Sequence, residues 1–136
     1  MKVEMFLLCD AATQAGGKLN VLGGFDTIFA REMPTTHPHC AVVLRTRFSR
    51  VEVGKHVIRI NFVDEDGNEV LPKLEAQLEV RLDNGNDSVA ANLILDINRL
   101  KLPQYGRYAI DLAIDGRHEA SIPLLVKESP NGAQAN

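Results

Sequence analysis

Three side chains in the segment TTHPHC, residues 35–40, carry metal-ligating chemistry: His37, His39 and Cys40. Zinc and its first-row neighbours take imidazole, thiolate and carboxylate ligands. In an extended chain, residues two apart point the same way with Cα atoms roughly 6.5 Å apart, so His37 and His39 could share one ion. Cys40 then faces the opposite way, with Val42 and Leu44, and the apparent trio reduces to two ligands. Pro38 has no backbone donor and marks a strand's entry. Further ligands would come from DEDGN, residues 64–68. If the strand ending near Ser49 pairs as a hairpin with the one beginning near His56, Arg47 opposite Arg59, then His39 falls near Gly67, beside Asp64 and Asp66. The alternative reading is a small-molecule or metal-binding domain centred on His37 and His39, with Asp64 and Asp66 as further metal ligands and hydrolytic chemistry open to it. Against it, imidazoles and carboxylates are routine on surfaces and DEDGN needs only a turn to explain it. DEDGN also lacks the spacing and closing glutamate of a calcium loop. The reading therefore assigns no metal, no cofactor and no catalytic residue.

The same pairing places Arg45, Arg47 and Arg59 on one outer face. Opposed like charges destabilise a sheet, so that face needs an anionic partner. Glu75, Glu79 or Asp111 could supply it within the sheet. Otherwise the guanidinium groups are suited to a carboxylate or phosphate ligand, or to another subunit. They are the candidate partner or anion-binding face. Ser121 and His118 lie on one extended segment at positions that point to opposite faces, so they cannot form a nucleophile–base pair. There is no phosphate-binding glycine loop, no nucleophile elbow and no HExxH.

The elements that must position these residues are strands. KLEAQLEVRL sets Leu74, Ala76, Leu78, Val80 and Leu82 on one face and Glu75, Gln77, Glu79 and Arg81 on the other, the mark of a half-buried strand. CAVVLRTRFS points Cys40, Val42, Leu44, Thr46 and Phe48 inward and Arg45 and Arg47 outward. HVIRINFVD turns in Ile58, Ile60 and Phe62; SVAANLILDI turns in Val89, Ala91, Leu93, Leu95 and Ile97. Asp-Gly at 115–116 is a strong hairpin signal; DNGND at 83–87, DEDGN at 64–68 and Gly16-Gly17 mark further turns. INRLK, 97–101, is the one segment with room for a helical turn. Leu19 and Val21 share a face, and Gly23-Gly24 permits a bulge or a close backbone approach. About eight short strands predict an all-β, antiparallel β-sandwich. LPQYGRYAIDL adds an immunoglobulin-like detail: Tyr108 opens a strand where such sandwiches return a tyrosine hydroxyl to upstream backbone.

The chain has 136 residues, 45% hydrophobic and 24% charged, which fits one soluble domain over 1–127; 128–136 has no periodicity and reads as a tail. A net charge of −3 excludes a generally basic, phosphate-tracking protein, and 5% aromatics without Trp weaken base or sugar stacking. No nucleic-acid or membrane partner is expected: no run approaches the ~20 apolar residues of a membrane span. The apolar run from Met5 to Cys9 is short for a signal peptide, and the two cysteines, Cys9 and Cys40, fit reduced thiols in a cytoplasm.

The opening MKVEMFLLCDAA, the segment GKLNVLGGFD at 17–26, and His-Pro ahead of an apolar strand resemble a family of small, uncharacterised bacterial all-β proteins. The resemblance implies the fold and brings no activity with it. The resulting expectation is a cytoplasmic, non-enzymatic sandwich that acts by contact, with itself or with a protein partner.

Overall fold

The structure is a computed structural model that describes residues 1–130. Nine strands follow one another: β1 (Lys2–Ala15), β2 (Lys18–Gly24), β3 (Thr27–Ala30), β4 (Thr35–Ser49), β5 (Gly54–Val63), β6 (Leu74–Val80), β7 (Ser88–Leu102), β8 (Gly106–Ile114) and β9 (Arg117–Glu128). A single 3-10 turn, Arg50–Glu52, follows β4, and no α-helix occurs among the described residues. Two sheets form, in the orders β2-β1-β4-β7 and β3-β9-β8-β5-β6. Every pairing between named strands is antiparallel except that of β3 with β9. The alternating apolar sets meet between the sheets: Leu8, Val42 and Leu44 from the first, and Ile58, Ile60, Phe62, Ile110, Leu112 and Leu124 from the second.

This is an antiparallel, immunoglobulin-like sandwich, and its tyrosine corner is present. The Tyr108 hydroxyl donates to the Gln104 carbonyl at 2.5 Å and accepts the Gln104 N–H at 3.2 Å. The two bonds fix the β7–β8 corner while the ring fills the core, where it is 2% exposed. Asp115 and Gly116 have φ of 53° and 80°, the paired left-handed residues that a two-residue hairpin demands, and they join β8 to β9. At the other anticipated turn, Asp64 Oδ1 accepts the N–H groups of Asp66 and Asn68, both at 2.9 Å.

Two expected hairpins are crossovers. β4 pairs with β1 and β7, whereas β5 pairs with β6 and β8. The turn after Ser49 therefore carries the chain from one sheet to the other. Matching the faces of two amphipathic strands fixes only the parity of a register. It is satisfied equally when the strands meet the same core from opposite sides. Residues 81–87, containing DNGND, likewise carry the chain from β6 back to β7. INRLK is strand throughout, part of β7. Glu128 closes β9, and the Ser129 N–H donates to the Ala30 carbonyl at 3.0 Å; the remainder of the expected tail, 131–136, lies outside the described residues.

A second, smaller core lies on the outer face of the first sheet. Cys9, Ala41 and Val43 are fully buried there, packed by Ala12, Leu19, Val21 and Ile94. The β1–β2 hairpin curls over this face, and its tip reaches β7: the Asn92 side-chain amide donates to the Gly17 carbonyl at 3.4 Å. This explains why CAVVLRTRFS is apolar on both faces at its start and charged outside only from Arg45 onward.

Candidate functional site

His37 and His39 do not share a face. His37 lies opposite Leu100 and His39 opposite Asn98. Between them Pro38, which has no N–H, faces Arg99, whose φ is +61°. Alternation breaks at that point. His37 turns inward, 7% exposed, with its ring centroid 5.5 Å from that of Phe25. His39 turns out, its Nδ1 2.9 Å from Asn98 Oδ1 and its Nε2 3.7 Å from Asp96. Asp64 and Asp66 stay within their turn. Asp64 lines a groove of about 630 Å³ with Thr35, Thr36 and Lys101, whereas His37 lines a separate depression with Asp10. No group of three or more His, Cys, Asp or Glu that could hold a metal occurs among the described residues. The sequence-level cluster fails for two physical reasons: the hairpin that would have assembled it is a crossover, and the period of two that aligned the imidazoles is interrupted at Pro38.

The arginines are also divided. Arg45 and Arg47 sit on β4, and Arg59 on β5 in the other sheet. Glu4 of β1 engages both of the first pair: its Oε1 accepts Arg45 Nε at 3.0 Å and its Oε2 accepts Arg47 Nε at 2.9 Å. On β7, Asn92 Oδ1 accepts from Arg45 Nη1 at 3.0 Å and Ser88 Oγ from Arg47 Nη1 at 3.1 Å. The Arg47 guanidinium, ahead of Arg45, holds the Glu4 carboxyl below its ordinary pKa. Arg59 is satisfied by Glu75, with contacts of 2.9 and 3.2 Å. Glu75 is one of the three acids the sequence offers. Glu4 was not among them, because that pairing depends on β1 lying beside β4, a long-range fact.

A constellation that no sequence motif marks surrounds His56. Its Nδ1 is 2.6 Å from Asp115 Oδ2, its Nε2 is 2.6 Å from the Glu52 carbonyl, and the ring stacks on Phe48 at 4.5 Å. Both neighbours are acceptors, an arrangement that the doubly protonated ring satisfies with both nitrogens donating. Burial lowers its pKa, but the Asp115 carboxylate and the Glu52 carbonyl together outweigh it, and the net shift is upward. Asp115 is held below its ordinary value, first by the Val57 N–H and then by His56. Glu52 falls to about 2, chiefly through the Met1 amine and then the Ser49 N–H. With both nitrogens donating, His56 has no lone pair with which to accept a proton. It clamps the 3-10 turn to the β8–β9 turn.

One side of the sandwich stays open. β6 and β7 are the edge strands of their respective sheets and approach each other there. Between them Leu74, Leu78, Leu93 and Leu95 pack on the core yet remain half-buried.

Residues 4–127 match the model of DUF6941, a family of unknown function. The chain belongs to that family. The expected resemblance to a family without assigned activity is met, and DUF6941 membership brings no site residues with it. No curated protein matches the chain. Among solved structures, a glycosyl hydrolase family 2 member from Bacteroides cellulosilyticus is similar over 71% of this chain at 17% identity with a TM-score of 0.39. This DUF6941 chain spans 14% of that one, and so distant a likeness bears on no activity. Of the described helices, none is long and apolar enough to cross a membrane.

Proposed function

We propose that this DUF6941 chain is a non-enzymatic sandwich module that works by contact, associating with itself in preference to another protein. One observation carries the reading: the side between β6 and β7 leaves leucines half-buried along two unpaired strand edges. Unpaired edges are templates for another strand, and the leucines beside them keep part of their apolar surface in water. The polar constellations support the non-enzymatic part. Arg45 and Arg47 are both engaged by Glu4, and both nitrogens of the His56 ring face acceptors. Both cysteines are free and buried, and burial pushes the Cys40 thiol up to about 12, in keeping with unreactive thiols in a bacterial cytoplasm.

Native mass spectrometry of untagged protein over a dilution series tests the reading. A dimer that dissociates on dilution is expected. A monomer at every concentration would remove it.

A further inference from the structure

The self-association just proposed leaves open which edge is used, and the four free edges differ sharply. β3 is four residues long, too short to template much pairing. β2 carries Lys18 and ends in Gly23-Gly24, the first of them left-handed at φ +67°. β6 presents Glu75 and Glu79 to solvent. Charge, brevity and irregular backbone are the devices that blunt edges. β7 has none of them over Ser88–Leu95: the sequence SVAANLIL contains no charge, proline or glycine, and every residue of it is half-buried. The irregularity at Arg99 and the charges Asp96, Arg99 and Lys101 come only afterwards.

We propose that β7 pairs antiparallel with β7 of a second copy, Leu93 opposite Leu93 on the two-fold axis, so that two four-stranded sheets become one. Charge supports this register. With Leu93 on the axis, Asp87 of each copy stands opposite Arg99 of the other, giving two complementary pairs. Shifting the axis to Asn92 would instead set Asp87 against Ile97 and Asp96 against Ser88, which leaves both charges without a counterpart. Arg99 is exposed and makes no ion pair among the described residues, while Asp87 is fully exposed and reaches only Arg50, at 3.5 Å. The rest of the register agrees: Ala91 meets Leu95, Val89 meets Ile97 and Ser88 meets Asn98. The same pairing brings the two half-buried leucine seams together, so the occupant that completes the edge also covers the apolar surface beside it. A second copy supplies both; the symmetric interface needs only one patch.

Sedimentation equilibrium on wild type and three variants tests the pairing. Leu93→Lys places an inward-pointing ammonium on the edge. In a lone chain it can reach water, but at the axis it would meet its own copy, so a monomer is expected. Asp87→Arg sets arginine against arginine and should weaken the dimer about tenfold. Adding Arg99→Asp restores opposite charges and should recover most of that loss; aspartate tolerates a left-handed φ better than arginine does. The charge variants sit at exposed positions, so they decide the matter even if Leu93→Lys does not fold. A wild-type dimer indifferent to all three variants overturns the β7 pairing and leaves self-association to another surface. A double variant no tighter than Asp87→Arg overturns the register. A wild type that never dimerises overturns the pairing and the function proposed above together.

Discussion

His56 joins two turns that are far apart in the chain, and its charge is the condition of the clamp. Because its pKa in the folded chain lies above the ordinary 6.5, the stabilisation is complete below that value and is lost as pH rises through the folded-state pKa. Asp115 runs the other way: its pKa lies below the ordinary 3.8, so its contribution holds above that value and is lost as pH falls through the lower one. Thermal melts of wild type should therefore show a midpoint that declines as pH rises above the ordinary 6.5, and His56→Ala should flatten that decline; an unchanged slope in the variant would remove the clamp. Tyr108→Phe deletes both bonds of the corner while keeping the ring, and should cost about 1–3 kcal/mol in urea unfolding with an unchanged m-value. Of these two sites only Tyr108 was legible in the sequence, because its partner Gln104 is four residues away. The acceptors of His56 come from a turn and from a second hairpin 59 residues along, and no local spacing encodes that.

At the scale of elements, period two located the strands well, since burying one face of a sheet imposes alternation whatever the topology. It failed where another element intrudes. Ala41 and Val43 are apolar on the outer face because the β1–β2 hairpin curls over them, and alternation lapses at Pro38 and Arg99, where two irregular residues oppose each other. The hairpin's curl also gives Gly23 its role. A Cβ there would lie 2.3 Å from Asp10 Oδ2, on a backbone at φ +67°. Gly23→Ala should destabilise by about 1–3 kcal/mol, whereas Gly67→Ala, with φ +82° but open space around it, should cost less. Chemical denaturation of the two side by side checks the order, and equal losses would mean that only the backbone angle matters.

At the scale of the whole molecule, the sandwich followed from the number and pattern of strands, but the assignment of strands to sheets did not. Both misread hairpins, after Ser49 and at 83–87, join amphipathic strands whose faces match equally well across the core as beside one another. The candidate metal cluster and the single arginine face both depended on the first of them, and both dissolve once β5 moves to the opposite sheet. The same topology exposes what the sequence could not rank, the free edge of β7. Hydrogen exchange at low and high protein concentration tests the central claim most directly. The backbone amides of Ser88–Leu95 that point away from β4 should exchange markedly more slowly when the protein is concentrated, while those of β2, β3 and β6 stay unchanged. Exchange along β7 that is independent of concentration would contradict a module that works by pairing this edge.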